Sequence, residues 1–486
     1  MENARNGVSD GDTKEVSRSD FPDDFVFGVA TSAYQIEGAR REGGKGDSIW
    51  DVFSENKDNI LDKSTGDVAV DHYHRYKEDI ELMAKLGFGA YRFSISWPRI
   101  FPDGLGTKIN EEGVTFYNNL INFMLEKGLQ PFATLYHWDL PYNLQTTIGG
   151  WLSDKIADYF ELYAEACFAN FGDRVKHWIT INEPLQTSVN GYGEGNFAPG
   201  IRTDAIKNPC LATHHQLLAH AAAYKVYKEK FKATQAGEVG LVVDCEWAEA
   251  FSNKPDDVIA AARRLDFHFG WYLDPIFFGD YPETMRKRLG DRLPNFSERE
   301  RENLRNSVDF VGLNHYTSRL ISHVETPQEI HYYQVQDVKR NEIYPSGEAI
   351  GDRAASEWLF IVPWGLRKTL NHISKRYNNP KIYVTENGMD EEDSELEKLE
   401  LHERLNDTKR VGYFKGYIAS VAQAIKDGAD VRGYFAWSFL DNFEWAEGYT
   451  KRFGLVYVDY KNGLTRHPKA SAIWFSHFLK GEGSVD

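Results

Sequence analysis

The sequence predicts a single (β/α)8 TIM barrel with elaborated βα loops, an α/β fold that fills residues 21–480. Three observations support this prediction: eight strand-like segments recur along the 486 residues, helical segments separate most of them, and no glycine-rich phosphate loop follows any strand. Strands that alternate with helices indicate a parallel sheet covered by helices. A doubly wound open sheet is the main alternative, and eight-fold alternation without a phosphate loop favours the closed barrel.

The strand-like segments are short runs rich in apolar and β-branched residues. They cover residues 25–30, 90–97, 130–137, 177–182, 238–244, 309–316, 381–386 and 431–438. Amphipathic patterns predict helices at 73–86, 115–126, 157–170, 211–231, 364–376 and 408–426. Gly87 follows the first of these and is expected to end it.

Composition excludes several classes of partner. The formal net charge of −17 disfavours nucleic acid and anionic membrane surfaces. No segment is long and apolar enough to span a bilayer. The first 20 or so residues are polar, which predicts a disordered tail (1–20) without a secretion signal. A monomer and a homodimer both stay open.

Cysteine and histidine usage argues against disulfides and metal catalysis. Cys167, Cys210 and Cys245 are widely spaced, as expected of a reduced, cytoplasmic chain without a disulfide framework. The histidines form no HExxH or related arrangement, so we expect neither a metal site nor a cofactor.

Two glutamates close predicted strands and are followed at once by residues that break regular structure. Glu183 lies in TINEP (180–184), where Pro184 favours an extended conformation for the glutamate. Glu386 lies in VTENG (384–388), where Asn387 and Gly388 signal a turn. Catalytic groups of parallel barrels collect at these strand ends. Because a buried, unpaired carboxylate is costly, both glutamates are candidate catalytic residues.

Other predicted strand ends carry amides, an imidazole, carboxylates and indoles. These residues are Gln35, Arg92, His137, Asn182, Asn314, Tyr316, Trp437, Glu444 and Trp445. Mixed donors and acceptors beside flat apolar faces suit a neutral polyhydroxylated ligand. Taken singly, His137 fits a core histidine better than a ligand contact, the two tryptophans fit packing and binding roles equally well, and Arg92 also fits a structural ion pair.

Several segments together resemble glycoside hydrolase family 1, and in particular its plant β-glucosidases, from about residue 21 to 478. They are FGVATSAYQIEG (27–38), YRFSISWPR (91–99), HWDLP (137–141), NEP (182–184) and ENG (386–388). The resemblance implies that Glu183 is the acid/base and Glu386 the nucleophile. It also implies sugar-hydroxyl contacts at Gln35, His137, Asn182, Glu444 and Trp445, a stacking platform at Trp437, orienting roles for Asn314 and Tyr316, and Arg92 beside the nucleophile.

The resemblance also describes the aglycone side and the substrate. Trp358 matches the usual aglycone platform, Asn190 and Phe197 match lining positions, and Ala446 replaces an aromatic residue of many plant relatives, which predicts a wider aglycone side. Related thioglucosidases carry glutamine at the acid/base position, so Glu183 indicates O-glycosides. Members that act on 6-phosphorylated sugars have a small residue in place of Glu444, so a neutral sugar is expected. The sequence shows no N-terminal secretion leader, and in this respect it resembles the cytosolic plant members of the family.

The expected function is retaining hydrolysis of O-linked β-D-glucosides of plant metabolites or short oligosaccharides, with β-D-fucosides and β-D-galactosides left open. Retaining enzymes hold their two carboxyl groups ~5 Å apart. Repulsion between Glu183 and Glu386 is expected to keep Glu183 protonated while Arg92 steadies ionised Glu386. A transglucosidase that uses the same two glutamates and a non-catalytic sugar-binding barrel are the alternatives.

Overall fold

The structure, a computed structural model, describes residues 15–326 and 328–482. Eight parallel strands form a closed barrel in which each strand pairs with its neighbours in the chain and the last pairs with the first, which confirms the predicted fold. The strands are β1 (Val26–Ala30), β2 (Ala90–Ser94), β3 (Gln130–Tyr136), β4 (His177–Asn182), β5 (Glu238–Asp244), β6 (Phe310–Asn314), β7 (Ile382–Glu386) and β8 (Val431–Trp437).

The barrel strands are buried on both faces, which explains their near-continuous apolar sequences. Aromatic rings fill the barrel interior, where Phe132 stacks on His177 at 4.1 Å and meets Phe435 edge-on at 4.8 Å. A Cβ on Gly28 would lie 2.5 Å from the Phe435 ring. Glycine therefore leaves the space that the interior ring occupies.

Long helices surround the barrel. They are α1 (His72–Leu86), α2 (Glu111–Glu126), α3 (Ile156–Phe171), α4 (Lys207–Val226), α5 (Pro255–Leu265), α6 (Pro363–Arg376), α7 (Thr408–Lys426) and α8 (Ala470–Lys480). Gly87 ends α1 with a φ of +94°, as predicted. Helix α2 starts four residues before the predicted boundary because its first turn contains Glu111 and Glu112, which add no apolar signal but favour a helix N-terminus.

Short helical segments lie in the connecting loops. The α-helical ones are Ala33–Ile36, Ile49–Phe53, Trp97–Ile100, Tyr142–Ile148, Lys232–Gln235, Trp271–Phe278, Glu283–Leu289, Glu298–Leu304, Asp393–Leu396 and Leu401–Arg404. The 3-10 turns are Arg18–Asp20, Lys57–Asn59, Gly150–Leu152, Gly290–Arg292, Tyr332–Gln336 and Trp445–Glu447, and π-helical turns occupy Gln186–Gly191, Tyr227–Phe231 and Asp266–Gly270.

Two predicted strands extend more than one residue beyond the end of the observed strand. Strand β2 ends at Ser94 because Trp97 begins a short helix with Pro98 in its first turn, where proline is tolerated. Strand β6 stops at Asn314 instead of residue 316. In both cases apolar sequence continues beyond the strand, so hydrophobicity alone does not mark the end.

Small sheets elaborate the loops at the mouth of the barrel. A three-stranded sheet joins Trp247–Ala250, Ser318–His323 and Val338–Asn341, which follow β5 and β6. Two-stranded ribbons pair Asp352–Arg353 with Phe360–Ile361, Glu391–Glu392 with Lys451–Arg452, and Val456–Asp459 with Thr465–Pro468.

The beginning of the described chain packs against the base of the barrel. Phe21 contacts Phe27 at 5.1 Å between ring centroids and Phe478 at 6.4 Å. The predicted disordered tail (1–20) falls mostly on residues 1–14, which lie outside the described residues. Within the described ranges, no helix is long and apolar enough to cross a membrane.

Candidate active site

The carboxyl ends of the barrel strands open into a cleft of about 440 Å³. Among the residues predicted for the site, the cleft is lined by His137, Glu183, Asn190, Phe197, Asn314, Tyr316, Trp358, Glu386, Trp437, Glu444, Trp445 and Ala446. Gln35, Arg92 and Asn182 are fully buried and hydrogen-bond to lining residues. Closure of the barrel therefore brings both candidate catalytic glutamates to one cavity.

Glu386 ends β7, and a donor occupies each of its carboxylate oxygens. Arg92 Nη1 donates to Oε1 at 2.7 Å, and the Tyr316 hydroxyl donates to Oε2 at 2.6 Å. Arg92 comes from β2, which is separated from β7 by β1 and β8. Because β1 pairs with β8 only in the closed barrel, closure of the sheet makes this contact possible. Two charge-assisted hydrogen bonds favour the ionised form of Glu386.

Glu183 has a φ of +45°, so the prediction of an extended conformation was wrong. Pro184 disfavours the right-handed helical region. The Glu183 amide donates to Val242 O at 3.0 Å, while the Glu183 carbonyl accepts from the Gln186 amide at the start of the next turn. These two contacts, which depend on β5 and on the following loop, select the left-handed conformation.

A chain of hydrogen bonds connects the two glutamates through Asn182. Its Oδ1 accepts from Arg92 Nη2 at 2.7 Å and from Asn314 Nδ2 at 3.0 Å. The same Asn314 Nδ2 donates to Glu183 Oε1 at 2.6 Å. The positions of the two carboxyl groups are therefore fixed by shared partners.

The electrostatics of the pair differ in one respect from the expectation. Burial is the main reason that the pKa of Glu183 lies well above its usual value, and the charge of Asp244 raises it further, ahead of that of Glu386. Burial also raises the pKa of Glu386, while Arg92 and Tyr316 act in the opposite direction. Repulsion within the pair is thus a lesser cause than expected, and the pKa of Glu183 is raised more strongly than that of Glu386, which favours protonation of Glu183.

His137 presents a hydrogen-bond donor at one end of the cleft. Asn182 Nδ2 lies 3.1 Å from His137 Nε2, which must accept, so the ring proton is on Nδ1. Nδ1 is buried and has no partner among the described residues. Burial, followed by the nearby charge of Arg92, lowers the pKa of His137 well below its usual value and keeps the ring neutral.

Two indoles and a carboxyl group complete this end. The Trp437 and Trp445 rings lie nearly parallel to that of His137, with centroids 5.9 and 5.8 Å away. Gln35 Nε2 donates to Glu444 Oε2 at 3.4 Å. Burial raises the pKa of Glu444 well above its usual value, which weakens the expected repulsion of a phosphate by an ionised Glu444.

The aglycone end of the cleft is defined by the residues predicted for the aglycone, all of which line it. Trp358 is 42% exposed, and its ring meets Tyr316 edge-on at 5.7 Å. Asn190 Nδ2 donates to Gln186 Oε1, and Phe197 packs against Trp138 at 5.5 Å. Ala446 lines the cleft without a ring.

Sequence reasoning missed several lining residues at this end: Asp244, Glu246, Arg264, His268, Tyr333 and Arg340. Asp244 is the last residue of β5, so the same strand-end criterion could have found it. Glu246 lies two residues beyond β5, and the remaining four come from α5, from neighbouring π-helical or 3-10 turns, and from the small three-stranded sheet. No local pattern places these elements at the cleft.

No group of three or more histidine, cysteine or acidic side chains that could hold a metal ion occurs within the described ranges. Among the carboxyl groups of the cleft, Glu386 and Glu183 lie at the ends of β7 and β4: the first has a donor on both oxygens, and burial raises the pKa of the second well above its usual value. At the carboxyl-terminal mouth of a parallel β/α barrel, this pair defines a glycoside hydrolase.

Comparison with known proteins agrees with that class. The chain belongs to glycosyl hydrolase family 1, whose profile matches residues 17–484. It is 75% identical to Beta-glucosidase 4 of rice (Oryza sativa subsp. japonica) over 98% of both chains. Identity to Beta-glucosidase 42 of Arabidopsis thaliana is 65%, over 96% of this chain and 95% of that relative.

Solved structures show the same architecture. A rice Os3BGlu6 β-glucosidase mutant, in a covalent complex with Glc from GA4GE, superposes with a TM-score of 0.94 at 47% identity. The match covers 96% of this chain and 99% of that chain. The protein is therefore an enzyme of the glycoside hydrolase class.

Proposed function

We propose that the protein is a retaining β-glucosidase that hydrolyses O-linked β-D-glucosides by double displacement. The observation that carries the proposal is the asymmetry of the glutamates: Glu386 has a donor on each oxygen, whereas Glu183 accepts from Asn314 on one oxygen and burial raises its pKa. The β-glucosidases among its relatives, and the rice structure in a covalent complex with Glc, support this assignment.

In the first step, a Glu386 oxygen attacks the anomeric carbon and the bond to the leaving oxygen breaks. Glu183 gives its proton to that oxygen, so the aglycone leaves as a neutral alcohol. Tyr316 and Arg92 hold the nucleophile in place during the attack.

In the second step, a water molecule releases the sugar from Glu386. The ester carries no charge, so one of the charges that raised the pKa of Glu183 is gone. Glu183, now ionised, accepts a proton from the attacking water. The water oxygen bonds to the anomeric carbon, the ester bond breaks, and Glu386 returns to its ionised form.

The glycone is a neutral sugar held by Gln35, His137, Asn182, Glu444 and Trp445 over the Trp437 ring. The unpaired His137 Nδ1 supplies a donor for a sugar hydroxyl, and the indole faces suit the C–H surface of a pyranose. β-D-Fucosides and β-D-galactosides differ from glucosides at single ring positions, and we propose them as secondary substrates.

Substitution of the nucleophile gives the decisive test. Glu386→Gln should lower the kcat for an aryl β-glucoside by at least about 10³-fold, because an amide does not form the covalent intermediate. Glu183→Gln should impair substrates with poor leaving groups much more than dinitrophenyl glucosides, which leave without a proton. Glu283→Gln, at an exposed site outside the cleft, is the control and should keep wild-type activity. Near-normal turnover by Glu386→Gln would contradict the proposal.

The same assays separate the alternatives. Added alcohols or phenolic acceptors compete with water for the glycosyl-enzyme, so product analysis measures the share of transglucosylation. Failure to release any aryl group would instead indicate a non-catalytic sugar-binding barrel.

We also propose a cytoplasmic location. Cys167, Cys210 and Cys245 are buried free thiols, as is usual in reducing compartments. A fluorescent fusion expressed in plant cells tests this proposal, and retention in the secretory pathway would contradict it.

A further inference from the structure

Two arginines line the aglycone end of the cleft and share one buried carboxylate. Arg264 Nη2 donates to Glu246 Oε1 at 3.0 Å, and Arg340 Nε donates to the same oxygen at 2.8 Å. Arg340 Nη2 also binds Glu246 Oε2. Glu246 itself is 8% exposed. One carboxylate therefore faces two guanidinium groups at the wall of the cleft.

A third arginine lies close to these two. Burial lowers the pKa of Arg319, and the neighbouring charges of Arg340 and Arg264 add to that effect, while Glu246 opposes it. The second acidic group, Glu342, lies 3.9 Å from Arg319 and is half exposed to solvent, which screens it. Three guanidinium groups meet the carboxylates of Glu246, Glu342 and Asp244, so this region is close to neutral in a chain whose net charge is −17.

The cluster is connected to the proposed aglycone platform. Arg319 Nη2 donates to the Trp358 carbonyl at 2.6 Å, which fixes the loop that carries the exposed indole. The Trp358 ring contacts Tyr316, whose hydroxyl holds Glu386. The arginine cluster and the nucleophile are therefore linked through Trp358 and Tyr316.

Arg340 is the member of the cluster that a ligand can reach. Its side chain is 41% exposed and lines the cleft. Nε and Nη2 bind Glu246, while Nη1 has no hydrogen-bond partner among the described residues. The nearby Asp244 carboxylate accepts from Gln186 Nε2 and lies 3.1 Å from His268 Nε2, both through Oδ2, so its position is fixed by these two side chains.

We propose that the aglycone region selects β-glucosides whose planar aglycone bears a carboxylate. The aromatic ring packs on Trp358, and the carboxylate binds Arg340 in a charge-assisted hydrogen bond. This inference rests on the proposed β-glucosidase activity and narrows its substrate class to glucosides of hydroxylated aromatic acids. If the arginines serve solely to neutralise Glu246, the enzyme has no such preference.

The test compares 4-carboxyphenyl β-D-glucoside with 4-carbamoylphenyl β-D-glucoside, which has nearly the same shape but no charge. At low ionic strength the ratio of kcat/KM for the acid to that for the amide should fall about tenfold in Arg340→Gln, as expected for loss of one charge-assisted hydrogen bond. Comparing the ratio between variants cancels the difference in leaving-group reactivity. Arg367→Gln is the matched control, because Arg367 binds Asp427 on the outer helices and should leave the ratio unchanged.

The wild-type enzyme supplies a second measurement that needs no variant. Added salt should lower kcat/KM for the acid but not for the amide, because it screens the attraction of the exposed Arg340. A ratio that is unaffected by both Arg340→Gln and salt overturns the inference. Hydrolysis of the amide without a preference for the acid leaves the proposed activity intact, whereas no hydrolysis of either glucoside rejects that activity as well.

Discussion

At the scale of single residues, the protonation of Glu183 depends on its surroundings more than on its partner. Burial is the largest cause of its raised pKa, and Asp244 precedes Glu386 among the charges that add to it. Asp244 lines the cleft at the end of β5 and is held by Gln186 and His268. We therefore regard Asp244 as a positioning residue that acts on the acid/base through charge.

Removal of that charge should move the basic limb of the pH profile. The basic limb of kcat/KM reports the loss of the proton from Glu183 in the free enzyme. Because a negative neighbour raises the pKa of a carboxyl group, Asp244→Asn should lower the pKa of Glu183 and shift the basic limb to lower pH. Profiles measured with an aryl glucoside whose leaving group needs a proton will show the shift.

Glu447→Gln gives the matched comparison for this prediction. Glu447 also lines the cleft, but it is not among the main causes of the raised pKa of Glu183. Its substitution should leave the basic limb in place. A basic limb that is unmoved in Asp244→Asn, or that moves to higher pH, would show that Asp244 does not influence the acid/base.

At the scale of secondary-structure elements, glycines in and after α7 have opposite roles. Gly412 is exposed within the helix, and a Cβ there meets no atom within 4 Å. Gly428 follows the helix with a φ of +107°, and its amide caps the Ile425 carbonyl. The first glycine adds flexibility without a structural reason, whereas the second permits the turn.

The two alanine substitutions should therefore change stability in opposite directions. Gly412→Ala should stabilise the protein by roughly 0.5–1 kcal/mol through the better helix propensity of alanine. Gly428→Ala should destabilise it by about 1–2 kcal/mol, because alanine disfavours the left-handed region. Urea unfolding of the two variants beside the wild type measures both values. Equal signs would contradict the assignment of Gly428 as the helix terminator.

The elements also show where sequence reasoning succeeds and where it stops. Glu386 and its strand were predictable because the apolar run and the Asn-Gly turn are local signals. The left-handed Glu183 was not, because its conformation depends on a hydrogen bond to β5. Arg264 and Arg340 were missed because they belong to α5 and to the small three-stranded sheet, whose approach to the cleft is a tertiary property. The family resemblance assigned roles to the two glutamates and their neighbours, but it gave no indication of the arginines at the aglycone end.

At the scale of the whole molecule, a buried ion cluster joins the loop of the active site to the end of the chain. Asp441 precedes the segment with Glu444 and Trp445 and is fully buried. Its oxygens accept from Arg452 Nη1 at 2.8 Å and from Lys469 Nζ at 2.9 Å. Lys469 immediately precedes α8, so this cluster holds the sugar-binding loop against the C-terminal helix.

This cluster should make the fold sensitive to acid. Burial alone would raise the pKa of Asp441, but Lys469 and Arg452 outweigh it and lower the pKa below its usual value. A carboxyl group with a lowered pKa stabilises the folded state above its unfolded pKa of about 4, and this contribution is lost as the pH falls through the lowered pKa. Asp441→Asn removes the carboxylate that two buried cations share, although Arg452 keeps Asp393 and Lys469 keeps the more distant Glu391. It should therefore cost about 3 kcal/mol at pH 7, near the low end for a broken buried ion pair. The difference in unfolding free energy from the wild type should then shrink as the pH is lowered.

Asp427→Asn is the control for this prediction. It breaks a surface pair with Arg367 and should cost less than about 1 kcal/mol. Urea unfolding of the wild type and both variants at several pH values measures these differences. The prediction is wrong if the Asp441 variant loses no more stability than the Asp427 variant. It is also wrong if the stability difference between the Asp441 variant and the wild type does not change with pH.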